Sequence, residues 1–140
     1  MMHRKLATAV GALGLMLVLV PAARAQGPKK EPTFQDRPLS AWVEDLQGMA
    51  PYTRNQAAYA IANMGPAAAS AVPALIVALG DPDAAVRFPV CIAFREIGPA
   101  AKDAVPALTK ALDDRNEDVA AMARKAIIKI TGEDPRPSEE

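Results

Sequence analysis

Apolar side chains fall at positions 72, 75, 76 and 79, and again at 86, 90, 93, 94 and 97. Both sets follow the spacing of one face of a 3.6-residue helix. Residues 71–80 and 84–97 are therefore predicted as two amphipathic helices, A and B, joined by a short turn. The pattern returns 33 residues later: Gly65–Leu75 reads GPAAASAVPAL and Gly98–Leu108 reads GPAAKDAVPAL. Carried in both directions, this offset aligns Leu39/Val72/Val105, Trp42/Leu75/Leu108 and Leu46/Leu79/Leu112 in the A helices. In the B helices it aligns Ala60/Ala93/Ala126, Ile61/Phe94/Ile127 and Met64/Ile97/Ile130. Every position in these columns is apolar. An internal repeat of this length predicts stacked units that share a continuous core. The predicted helices are 38–48 and 52–64, 71–80 and 84–97, and 104–113 and 117–131. They make three helical hairpins over 38–64, 71–97 and 104–131.

The punctuation supports these boundaries. Gly65-Pro66 and Gly98-Pro99 follow B helices, where glycine permits a left-handed C-terminal residue and proline stops the helix. Ser70 and Asp103 precede A helices as candidate N-caps, and Asp36 stands in a similar place before Pro38. Pro73 and Pro106 fall in first turns, where a missing N–H costs little. Pro89 breaks the pattern inside the second B helix, so that helix either starts near Phe88 or has a kink or frayed first turn.

The ends of the chain read differently. His3, Arg4 and Lys5 precede an apolar run, Leu6–Val20, and then Pro21 and Ala23-Arg24-Ala25. This is the order of a secretory signal peptide, with cleavage expected after Ala25. The run is shorter than the roughly 20 residues of a membrane span, and no later run is read as one. Residues 26–37 are expected to be a flexible linker, and residues 132–140 a disordered acidic tail. Export would leave the protein periplasmic or extracellular.

Removing residues 1–25 takes away three of the 16 Lys and Arg and none of the 16 Asp and Glu, so the remainder carries 13 positive and 16 negative charges, net −3. That balance argues against nucleic acid or an anionic membrane as partner. The one histidine, His3, leaves with the leader, which removes His-based acid–base catalysis and His-ligated metal. The single cysteine, Cys91, shares a column with Ala58 and Arg124 and is expected at the periphery. No catalytic, metal or cofactor site is predicted.

The residues Ala-Val-Pro-Ala-Leu at 71–75 and 104–108, Asp81 with Val86-Arg87, Asp114 with Val119, and the Gly-Pro stops resemble HEAT repeats. The similarity is to the short HEAT-like type first associated with phycobilisome lyases, and covers about 38–131. It implies an all-α fold, an α-α superhelix of three hairpins. It also implies a ladder in which an Arg of one unit pairs with an Asp of the next. Here that means Arg54 with Asp81 and Arg87 with Asp114. The ladder positions are Gly48 in the first unit and Ala120 in the last, which suggests an array of three units.

In such arrays the B helices line the concave surface. The exposed face of the second B helix then carries Phe88, Ile92 and Arg95, and equivalent columns add Tyr59 and Ile128. These five residues form the candidate partner-binding patch. The competing expectation is that they pack on one another or on the linker. Trp42 is expected to fill the first core layer and cap the end of the stack.

The leading functional expectation is a non-catalytic scaffold that binds a protein or peptide on the concave face. A self-associating subunit, dimerising through apolar repeat ends, is the alternative. An enzyme or enzyme accessory of the bilin-lyase type is less favoured. Such lyases need a larger array and act in the cytoplasm. The iron-binding His-Glu pairs of deoxyhypusine hydroxylases have no counterpart, and HEAT-like DNA glycosylases require a basic concave face.

Overall fold

A computed structural model describes residues 29–137; the expected leader, 1–25, lies outside these residues, as does the end of the tail, 138–140. A short antiparallel hairpin, β1 (Thr33–Phe34) and β2 (Arg37–Pro38), comes first. Six helices follow: α1 (Leu39–Leu46), α2 (Pro51–Met64), α3 (Val72–Ala78), α4 (Ala84–Ile97), α5 (Val105–Ala111) and α6 (Glu117–Thr131). They pair as three helical hairpins, with α2, α4 and α6 packed side by side as a row of B helices. The fold is an all-α solenoid.

The repeat columns become the core. Leu75, Leu108, Phe94 and Ile61 are fully enclosed, as is the alanine column Ala93/Ala126. Its small side chains let neighbouring B helices approach closely. Met64, Leu79 and Val105 are half-buried at the edges of the same columns.

Each Gly-Pro pair is a pivot where a stop was expected. Gly65 (φ 58°, ψ −137°) and Gly98 (φ 72°, ψ −142°) take a conformation open almost only to glycine. The following proline then starts a 3-10 segment, Gly65–Ala71 or Gly98–Ala104, which runs straight into the next A helix. Three residues per turn put Ala68 with Ala71, and Ala101 with Ala104, on one side, and all four are buried. Because the chain is already helical there, Ser70 and Asp103 do not cap; α3 and α5 begin after Ala71 and Ala104 without a side-chain cap. Asp36 also caps nothing, since it sits at φ 58° in the hairpin turn and Pro38 precedes α1. The working caps are Asp83, which accepts from the Ala85 amide at 2.9 Å, and Asn116, which accepts from Asp118 and Val119 at 3.1 Å. Both stand in the turns between A and B helices.

The stretch Pro51–Ala78 is long and apolar enough to cross a membrane by length and composition, with a mean hydropathy of 1.5 over its best window. It is three elements bent at Gly65, and Ile61, Val72 and Leu75 within it belong to the core.

Residues 29–38 and 132–137 differ from the expected linker and tail. Phe34 packs on Trp42 with ring centroids 6.4 Å apart, the Trp42 Nε1 donates to the Phe34 carbonyl at 3.2 Å, and the Arg37 guanidinium lies 4.0 Å over the indole. The segment that reads as a spacer thus closes the first end of the stack, and Trp42 is 8 % exposed. At the other end Asp134 accepts from Arg124, and Arg136 reaches Asp113. Among the described residues, both ends of the stack thus carry contacts from the flanking segments.

Candidate functional site

Two ion-pair rungs each tie a B helix to the A–B turn of the next unit. Arg54 Nε lies 2.6 Å from Asp81 Oδ2 and its Nη2 lies 3.2 Å from Oδ1. Arg87 Nε and Nη2 lie 2.8 and 2.9 Å from Asp114. Each Arg also donates Nη1 to the turn of its own unit: Arg54 to Gly48 at 2.9 Å, and Arg87 to Asp81 at 2.8 Å. Each Asp in turn accepts a turn amide, Asp83 N or Asn116 N, at 2.9 Å. Every partner is satisfied, which is what a desolvated pair needs to be net stabilising. At Asp81 burial opposes ionisation, but the Arg54 hydrogen bond, the Asp83 amide and the Arg54 and Arg87 charges outweigh it, and the pKa falls below the usual carboxylate value. At Asp114 the hydrogen bond from Arg87 is the largest effect and lowers the pKa against the cost of burial. The guanidinium pKa values rise correspondingly, chiefly through the same hydrogen bonds.

Helix α4 runs through Pro89 without a late start. Proline has no N–H for the Ala85 carbonyl, and Asn55 Nδ2 of α2 donates to that oxygen at 2.6 Å. Asn55 and Phe88 share a repeat column, so the same position that mends α4 in one unit becomes an apolar surface residue in the next.

The five patch residues are divided by the fold. Tyr59 and Ile92 line a shallow groove between α2 and α4, with Asn63, Pro66 and Glu96. Arg95 and Ile128 line a second groove between α4 and α6, with Lys125 and Lys129, and Glu96 borders both. Phe88 stands apart, in a depression with Ala84, Ala85, Asn116 and Asp118 at the turn end of α4 and α6. It does not join the other four, because it lies about two helical turns from Arg95, beside the capped start of α6. Tyr59 and Ile128 are each 38 % exposed, while Phe88 and Ile92 are half-buried against the core. No one of these grooves gathers all five residues. Arg95 holds Glu96 Oε1 through Nε at 2.9 Å and Nη2 at 2.7 Å, and its Nη1 lies 3.6 Å from Met122 Sδ.

Cys91 is fully enclosed, not peripheral. The column 58/91/124 faces the next unit: Ala58 lies beneath α4 and Cys91 beneath α6. Arg124, with no further unit described, meets Asp134 instead. Burial above all, with a smaller effect from Asp114, pushes the Cys91 thiol up to about 12. A thiol so protected is a poor nucleophile. Among the described residues no three His, Cys, Asp or Glu side chains converge as metal ligands.

The B-helix face carries two adjoining grooves lined by apolar and charged side chains. Comparison with curated proteins found no match. A family model of HEAT repeats matches residues 39–135, from the first residue of α1 through Asp134 and Pro135 of the folded tail. With more than half its length matched, and with helical hairpins stacked in the manner just described, this chain belongs to the HEAT-repeat family.

Proposed function

We propose that this chain is a non-catalytic interaction module that binds a protein or peptide on the face of its B helices. HEAT repeats commonly mediate protein–protein interaction. The observation that carries the reading is the exposure of Tyr59 and Ile128 along one face, flanked by Arg95, Lys125 and Lys129. Elsewhere on α2, α4 and α6 the large aliphatic and aromatic side chains are drawn into the core, apart from Tyr52 at the start of α2. Aromatic and aliphatic anchors ringed by charge are typical of binding hot spots. The enclosed Cys91 and the absence of histidine after His3 support a non-catalytic role.

The order of charge, apolar run and small residues over 1–25 supports export to the periplasm or cell exterior. Sequencing the N-terminus of the exported protein tests this; a chain that starts at Met1 in the cytoplasm sinks it.

The binding reading is tested by affinity capture from the exported fraction with the wild type, a Tyr59→Ala/Ile92→Ala variant and a Phe88→Ala variant. The expected result is a partner lost with the double variant and kept with Phe88→Ala. A partner kept by the double variant moves the site off this face.

A further inference from the structure

Equivalent surface positions of the three B helices read Tyr59, Ile92, Lys125 in one column and Asn63, Glu96, Lys129 in another. The face changes from aromatic and neutral over α2 to dibasic over α6. Asn63 Nδ2 is engaged by the Tyr59 carbonyl at 2.8 Å. The one carboxylate bordering the grooves, Glu96, is bound by Arg95. Lys125 and Lys129 have no carboxylate partner among the described residues. This basic end is set on a chain whose net charge from residue 26 onward is −3, so it is a local feature and not an overall excess.

We infer that this face takes an extended acidic peptide segment. One apolar side chain of the ligand seats between Tyr59 and Ile92, and acidic residues lie over Lys125 and Lys129. The inference rests on the proposed binding role and names the partner's chemistry. Packed helices lie about 8–10 Å apart, and an extended chain advances about 3.3 Å per residue. A segment crossing from the first groove to the second therefore places its acids about three residues from its apolar anchor. A nucleic acid needs more phosphate contacts than two or three cations supply, and neither it nor a lipid surface presents one apolar side chain at a fixed distance from two charges.

The test uses fluorescence anisotropy and a labelled peptide of about ten residues with one phenylalanine and, three positions on, two glutamates. Binding is expected to weaken at least about tenfold in a Lys125→Glu/Lys129→Glu variant, and to fall with added salt. A partner peptide with lysines in place of the glutamates is expected to show the reverse preference, binding the charge-reversed variant better than the wild type. Both lysines are exposed, and circular dichroism checks that the variant is folded. Equal binding of the acidic and basic peptides to the wild type overturns the inference. So does an acidic peptide that binds no better than its phenylalanine-to-alanine form, or equal competition by phosphatidylglycerol vesicles. If the acidic peptide fails while Tyr59→Ala/Ile92→Ala still abolishes capture of the partner, only the acidic-ligand inference falls; if capture is also unchanged, the binding reading falls with it.

Discussion

Asn55 donates its side-chain amide to the Ala85 carbonyl, the backbone acceptor that Pro89 leaves without its helical partner. A proline inside a helix removes one i→i−4 hydrogen bond and crowds the preceding turn. Here the neighbouring repeat supplies the missing donor. The defect in α4 has become a contact between units.

This relationship predicts non-additive stability. Asn55→Ala in the wild type is expected to cost about 1 kcal/mol, because the Ala85 carbonyl is near the surface and water recovers part of the loss. In a Pro89→Ala background the restored N–H occupies that carbonyl, and Asn55→Ala becomes nearly neutral. Denaturant melts of the four proteins in the cycle measure the coupling. Identical costs in both backgrounds would show that Asn55 does not compensate Pro89.

The ladder is predicted to matter more than any surface charge. Arg87 is 7 % exposed, and its removal leaves Asp114 partly buried and unpaired. Arg87→Ala is expected to destabilise by about 3 kcal/mol. Arg87→Asp is expected to lower the melting temperature clearly further than Arg95→Asp, whose partner Glu96 is exposed. Equal effects at the two positions would remove the rung from the stability account. The pH dependence follows from the same pair. The folded pKa values of Asp81 and Asp114 lie below the ordinary 3.8. Their contribution is present above that value and is lost as pH falls through the lower, folded values. Thermal melts between about pH 5 and pH 2 are expected to fall more steeply for the wild type than for Arg87→Leu.

Two glycines with positive φ are predicted to respond differently. Gly132 lies at φ 80°, ψ −1°, in the left-handed region that asparagine tolerates. Gly98 lies at φ 72°, ψ −142°, where non-glycine residues are strained. A Cβ meets nothing within 4 Å at either site, but Gly98 is buried and Gly132 exposed, which adds to the backbone difference. Gly98→Asn is expected to cost about 1–3 kcal/mol and Gly132→Asn clearly less. Calorimetry of the two variants compares them directly.

Cys91 is expected to resist thiol reagents in the native state. It is enclosed, and its pKa is pushed up to about 12. At about pH 8 its modification by a coloured disulfide reagent is expected to follow global unfolding and to be fast only in denaturant. Rapid modification of the native protein would mean that α6 opens away from α4.

The helices and their core faces are legible in the chain because the repeat makes them local, and a helix face follows from spacing alone. The ladder partners, such as Arg87 with Asp114 of the next unit, followed from the resemblance to HEAT repeats. The N-caps Asp83 and Asn116 are of residue types that favour that position. Tertiary structure decided whatever depends on which neighbour covers a face. Cys91 and Arg124 share a column, yet one is enclosed by α6 and the other meets the tail. Phe88 shares the helix of Ile92 and Arg95, yet rests against the start of α6. Residues 33–38 carry only weak strand signals and fold because Trp42 offers an apolar surface that needs covering. Periodicity describes a unit in the middle of an infinite stack. The ends, and the single-residue departures from the repeat, take their environment from contacts that no spacing along the chain encodes.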